Sequence, residues 1–308
     1  MPGKFILSLD CEGKWGMADR LTADHHRWLT SDRLRGAYRD ILALFAERRI
    51  DATFAFVMAF LLSPDEQREH DGLFQDQPIE GRNWLASFRE AQQAGDMEGW
   101  SLPELLDMVR AAGGHEIGCH GFSHLPLDPS MVTREVMRRE IAAAGAIARA
   151  RNIDLATFVY PRNLVGYPDE LAREGYAGYR ERLAVRPGPL GRIGNLLSEL
   201  NIAERPQADP PPRESGPAAI PSGYFFNWRF GPRRYIPQAV TTLRWNRMLE
   251  QACTNGGVVH LWLHPHNIIS APETFDVLRD VLTAVADLRD AGRLEVQTQQ
   301  RYCAALAH

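Results

Sequence analysis

Four short apolar runs in this chain of 308 residues end in the same way: KFILSLD stops at Asp10, HEIGCH at His120, LATFVYP at Pro161 and VVHLWLH at His264. Amphipathic stretches separate them. Ser31 to Ile50, for example, places Leu34, Tyr38, Ile41, Leu42 and Phe45 at helical spacing. Strand-like runs alternating with helical ones define an α/β protein with parallel strands. In a parallel barrel the C-terminal strand ends converge on one face, where active sites are built. Four polar or special residues far apart in sequence are therefore expected to meet.

The rest of the chain fills in that alternation. DATFAFVMAF reads as a second strand, and a polar stretch from about 63 to 99 reads as a partly helical surface insertion. Ser101 and Pro103 open a helix that Gly113-Gly114 stop. Further helices are expected near Thr133 to Arg151, Ala239 to Thr254 and Pro272 to Ala291, with short strands at YAGYRE and RLEVQT. The Pro- and Gly-rich segment 186–237 reads as loop and cap material, not a second core. The expectation is one domain, 1–308, with insertions at about 63–99 and 186–237.

The formal charge is -4 with basic residues scattered along the chain, which argues against a nucleic-acid surface. Four cysteines lack CxxC spacing, the N-terminus lacks a signal-peptide pattern, and no apolar run reaches the roughly 18–20 residues of a membrane span. These features lead us to expect a soluble cytoplasmic protein with reduced thiols.

His120 and His124 stand at i, i+4, so in a helical turn both imidazoles point to one side, and neutral imidazole is a good ligand for divalent metals. SLDCEG adds Asp10 and Glu12 at i, i+2, on one side of an extended strand. One carboxylate can complete a two-histidine, one-carboxylate site while the other serves as general base. His264, at a strand end, suits a general acid, because its ordinary pKa lies near neutrality. His260 reads instead as a buried, hydrogen-bonded histidine.

These residues resemble the polysaccharide deacetylases of the NodB-homology type, carbohydrate esterase family 4. SLDCEG is similar to that family's first motif, HGFSH to its histidine pair, FVYPRN to its third motif and VHLWLH to its last. The resemblance implies a distorted, incomplete (β/α) barrel and hydrolysis of N-acyl groups with one divalent metal, most simply zinc. It implies Asp10 as base, His264 as acid, and Glu12, His120 and His124 as metal ligands, with the Asp10 and Glu12 roles open to exchange. A Cys11 thiolate is a third ligand option that strand alternation points away. A backbone N–H near Arg162 would hold the developing oxyanion. Val159 occupies the place of an arginine that braces the catalytic aspartate in the family; Arg162 is one candidate for that brace. Arg162 and Asn163 stand where the family has an aromatic residue and glycine.

Without an export signal, the expected substrate is a nucleotide- or lipid-linked amino sugar of surface-polysaccharide (lipopolysaccharide-type) assembly. Trp15, Pro161, Arg162, Asn163, Trp262 and His266 are the expected substrate contacts. In FFNWRFGPRRYIP, Arg233 and Arg234 are expected to grip an anionic group beside stacking aromatics. The alternatives are an amidohydrolase of a small non-sugar amide and a non-catalytic carbohydrate-binding barrel.

Overall fold

The computed structural model describes residues 2–182, 200–211 and 215–306. Parts of the expected cap segment, 186–199 and 212–214, lie outside them. Eleven strands follow in chain order: β1 (Gly3–Cys11), β2 (Thr53–Phe56), β3 (Pro78–Ile79), β4 (Arg82–Asn83), β5 (Glu116–Cys119), β6 (Thr157–Phe158), β7 (Gly178–Arg180), β8 (Ala218–Ile220), β9 (Tyr224–Phe225), β10 (Val258–Leu263) and β11 (Leu294–Gln297). Apart from the β3–β4 hairpin, they form one sheet in the order β8-β7-β6-β5-β2-β1-β10-β9, with β11 also paired to β1. Every pairing in this sheet is parallel. The sheet curls with helices around it into the incomplete (β/α) barrel that the family resemblance implies, with the parallel strands expected from the alternation.

β1 is the central strand, and seven of its nine residues are buried in an unbroken run from Phe5 to Cys11. A strand covered on both faces reads as a continuous apolar run, which is why FILSL shows no alternation. Register then sets the site. Leu9 lies opposite Leu263, Cys11 opposite Phe56, Phe56 opposite Cys119, Cys119 opposite Phe158, and Phe158 opposite Tyr179. The residues following these partners, Glu12, His264, His120, Val159 and Arg180, consequently emerge at one rim.

Several local expectations are corrected. Only Thr53–Phe56 of DATFAFVMAF is strand; Met58–Leu61 turns tightly as a fully buried 3-10 helix. The 63–99 stretch is not a surface insertion, because its Phe74, Trp84, Leu85 and Phe88 sit in the main core. Ser101 does not cap its helix; its hydroxyl donates to the Leu62 carbonyl, and Pro103 takes the cap position. The cap segment also contributes β8 and β9, the two end strands of the sheet. A final helix, Gln299–Leu306, was not anticipated. No helix among the described residues is long and apolar enough to cross a membrane.

Candidate metal centre and active site

His120 follows β5 directly, and its Nδ1 lies 2.7 Å from the Val159 carbonyl. A carbonyl only accepts, so Nδ1 carries the proton and Nε2 is left as a lone pair on the side of Glu12, 3.5 Å from its Oε2. The loop beyond is not the helical turn expected from i, i+4 spacing. Gly121 and His124 both take positive φ, 80° and 59°, and this bend returns the second imidazole to the first. Their ring centroids are 4.7 Å apart. Glu140, on the helix Arg134–Ala150, fixes the bend by accepting from the N–H groups of Phe122 (3.0 Å) and Ser123 (3.1 Å) and from the Ser123 hydroxyl.

Glu12 completes the cluster from the end of β1. Its Oε2 lies 2.9 Å from His124 Nε2 and 3.5 Å from His120 Nε2, and its Oε1 lies 3.5 Å from His264 Nε2. Glu12, His120 and His124 each present a ligand atom within 4.8 Å of the others, and all three are buried. Burial pushes the Glu12 carboxyl up, but the imidazoles of His264 and His124 outweigh it and hold the group well below the usual carboxylate range. Burial likewise lowers His124 against the pull of Glu12, keeping its imidazole in the neutral, ligating form. A buried carboxylate with two imidazole nitrogens turned towards it fits a divalent metal. Cys11 does not join them. Its thiol is buried and contacts the Leu9 carbonyl at 3.5 Å, and burial pushes its pKa well up.

Asp10 has a separate partner. Arg180, at the end of β7, grips it with two bonds, Nη1 to Oδ1 at 2.8 Å and Nη2 to Oδ2 at 2.6 Å. Both side chains are almost wholly excluded from solvent. Burial raises the Asp10 pKa, but Arg180, with help from His120, more than offsets it, so the carboxyl stays ionised below its ordinary range. Asn163 Oδ1 accepts from Arg180 Nη2 and Nε at 2.8 and 3.2 Å, and the Trp262 ring lies 4.4 Å from the guanidinium. Behind the pair, Ser8 bridges Arg180 and His260, whose Nδ1 donates to the Pro221 carbonyl at 2.7 Å. His260 is thus the buried structural histidine expected, and burial with the nearby Arg180 pushes its pKa down to about 3.

Arg180 is the residue that sequence reasoning missed. The brace does not come from Arg162, which pairs with Asp19 at 2.6 Å and stacks over Trp84 at 4.6 Å. The signal was present, since Arg180 ends the YAGYRE strand just as Asp10 ends the first.

Other expected contacts divide. Trp262, His266 and Arg233 line a cavity of about 420 Å³ that opens from Glu12 and His264. His266 stacks on His264 (4.9 Å, 24°), and burial, with His264 beside it, pushes its pKa down to about 3. Trp15 is corrected. It is fully buried, packs on Phe88 and Trp100, and donates from Nε1 to the Trp100 carbonyl, so it is core and not a substrate wall. Arg234 is corrected as well: it binds the exposed Tyr235 side chain and lines a different surface depression. Pro161 is buried beside Gly121, and its turn, with Arg162 and Asn163 at positive φ, aims Asn163 at Arg180 instead of at a ligand.

A parallel half-barrel with this cluster at its strand ends belongs to the deacetylase class of barrels. The chain is a member of the polysaccharide deacetylase family, whose profile matches residues 20–179, just over half its length. The match excludes Asp10 and Glu12 at one end and Arg180 and His264 at the other. No curated protein matches the sequence. Solved structures agree on the fold. A protein from Mycobacterium smegmatis described as a polysaccharide deacetylase is 13% identical, with a TM-score of 0.63 over 99% of this chain and 90% of its own. A second, from Pseudomonas aeruginosa PAO1, is 13% identical, with a TM-score of 0.56 over 98% and 89%. Puue allantoinase is 12% identical, also at 0.56 over 98% and 89%.

Proposed function

We propose that the protein is a metal-dependent hydrolase that removes an N-acyl group, acetyl or formyl, from an amino sugar, a nucleotide- or lipid-linked intermediate of surface-polysaccharide assembly. We read the whole chain as one catalytic domain, supported by a central strand that pairs with segments from both ends of the sequence. The observation that carries the functional reading is the meeting of Glu12, His120 and His124 with two further groups, an Arg-held carboxylate and a strand-end histidine.

Glu12, His120 and His124 would hold the metal, which would supply Lewis-acid activation of water and of the scissile carbonyl. Asp10 is the base. Arg180 keeps it ionised and fixes its plane while each carboxylate oxygen retains a lone pair for a proton. His264 is the acid that protonates the departing amine. Its backbone N–H is held by Asn267 Oδ1 at 3.0 Å, and its ring is flanked by His266 and Trp262. The Arg162 amide, in the left-handed turn after Pro161, is the proposed donor to the carbonyl oxygen. A non-catalytic barrel would have no use for the buried Asp10–Arg180 pair, because an ion pair removed from water is costly to keep.

Metal analysis of wild type beside His120→Ala, with assay of released acetate or formate, tests this reading. We expect about one equivalent of divalent metal in wild type and little in the variant. A wild-type protein that takes up no metal after reconstitution overturns the mechanism.

A further inference from the structure

The cavity beside the cluster has a built roof and a built floor, and both bear on what can enter it. On one rim, the helix Ala23–Trp28 places Trp28 over the opening. On the other, the segment after β9 carries Trp228, Phe230 and Arg233. Phe230 stacks on Trp228 (4.8 Å, 15°) and meets Trp28 edge-on (5.1 Å, 79°), so it links two of the aromatic side chains that line the cavity.

That roof is tied in place. Trp228 Nε1 donates to Ser270 Oγ at 2.9 Å, and the Arg229 amide donates to Thr274 Oγ1 at 3.1 Å. The Arg229 guanidinium then binds the carbonyls of Ile236 and Arg234, closing the segment on itself. A segment held at both ends and across its middle is a fixed wall, and fixed aromatic walls bind rings at low entropic cost.

The floor is chemically incomplete on its own. Asn267 is 1% exposed and lines the cavity; its Oδ1 is used by His264, but its Nδ2 has no partner among the described residues. The Trp262 Nε1, also of the lining, is likewise buried without one among them. Buried donors left unpaired are costly, so two of them facing one cavity point to an acceptor on its ligand. Arg233 is the one arginine among the described residues that line the cavity, and a guanidinium there favours an anion.

We propose, building on the deacylase reading above, that this cavity takes one small anionic N-acyl amino sugar and not an internal unit of a polymer. The sugar ring lies against Trp28 and Trp228, an acceptor oxygen meets Asn267 Nδ2, and a phosphate or carboxylate meets Arg233. The volume, 420 Å³, lies low in the ~300–1,000 Å³ range of small-molecule sites, and the Trp28–Phe230 contact joins the two aromatic walls, Trp28 and Trp228, between which the ring is placed.

Calorimetric binding on the metal-loaded protein tests this without requiring turnover. The probes are N-acetylglucosamine 1-phosphate, neutral N-acetylglucosamine and a soluble tetramer of the same sugar. The phosphate monomer is expected to bind at least about tenfold more tightly than the neutral one. Arg233→Gln should erase that preference, Trp228→Ala should weaken both monomers, and the tetramer should not bind. Binding of the tetramer as tightly as the monomers overturns the proposal. So does a preference that survives Arg233→Gln, or the absence of binding by either monomer. If the phosphate monomer binds as expected but no acyl group is released, the deacylase reading fails while the pocket assignment stands.

Discussion

The floor and the roof of this cavity are built on different principles. The floor rests on strand ends: Glu12 and His264 line it, with His120, Arg180 and the penultimate β1 residue Asp10 beside them, and strand register fixes their positions. The roof is made of loop, and its shape depends on local clamps such as Trp228–Ser270 and the Arg229 guanidinium on two carbonyls. The floor holds charge out of water in pairs, Asp10 with Arg180 and Glu12 with His124; the roof presents aromatic surface and the single cation Arg233. Chemistry is therefore concentrated in the floor and selectivity in the roof. Substitutions in the floor should act on turnover and metal, and those in the roof on substrate affinity.

The sharpest way to break that division is at Arg180. Arg180→Lys keeps a cation but cannot reproduce the two-bond grip on Asp10 or the contact with Asn163. We expect kcat to fall by about 10²-fold, the lower part of the range for a general base. The pH profile gives a second signature. Arg180 lowers the Asp10 pKa, so weakening it raises that pKa and leaves the base protonated to higher pH. The acid limb of kcat/KM should accordingly move to higher pH, while bound metal stays near one equivalent. An unchanged acid limb would show that Arg180 does not set the ionisation of the base.

Arg180 also shows how far the sequence can be read. Asp10, His120 and His264 were legible because a strand end in an alternating α/β pattern predicts convergence, and that rule needs no knowledge of loops. Arg180 obeys the same rule, yet the family's pattern points to Val159 as the place of the brace and so to Arg162, its nearest arginine in sequence. Which arginine reaches Asp10 is decided by the pairing of β6 with β7, and no local pattern reports it. Trp15 was misread for a related reason. Three residues after Glu12 it stands near the site in sequence, but the tight turn Gly13–Met17 sends its ring into the core beneath Phe74 and Phe88. The roof was the least legible part, since tryptophan and arginine in a Pro-rich segment do not say which of them faces inward.

A smaller effect should come from Glu140, which lies beneath the floor and touches neither substrate nor metal. Its carboxylate receives three donors from the bend between His120 and His124. Glu140→Gln keeps the shape but replaces one acceptor oxygen with an amide that cannot accept, so at least one N–H or hydroxyl in the bend loses its partner. Supporting groups behind metal ligands typically contribute about 10- to 100-fold in metal affinity, and a loss at the low end is expected. Competition with a chelator would measure it. Activity at saturating metal should recover, which separates a positioning role from a chemical one. Failure to recover would mean that the bend also shapes the reacting geometry.

The smallest effect belongs to Arg234, and it sharpens the comparison within the roof itself. Arg233 and Arg234 are adjacent and carry the same charge, yet only Arg233 lines the cavity, while Arg234 lies on the Tyr235 ring at 4.8 Å and hydrogen-bonds its hydroxyl. Exposed pairs of this kind are worth at most about 1 kcal/mol, and bulk charge felt across solvent is screened within about 8 Å at physiological salt. Arg234→Ala should change KM for an anionic substrate less than about twofold, against the tenfold or larger rise expected for Arg233→Ala. Equal effects from the two would mean that the segment acts as a diffuse positive patch instead of a directed contact. A salt titration of KM would then separate the cases, because a diffuse patch weakens steeply with ionic strength and a direct guanidinium–phosphate bond weakens less.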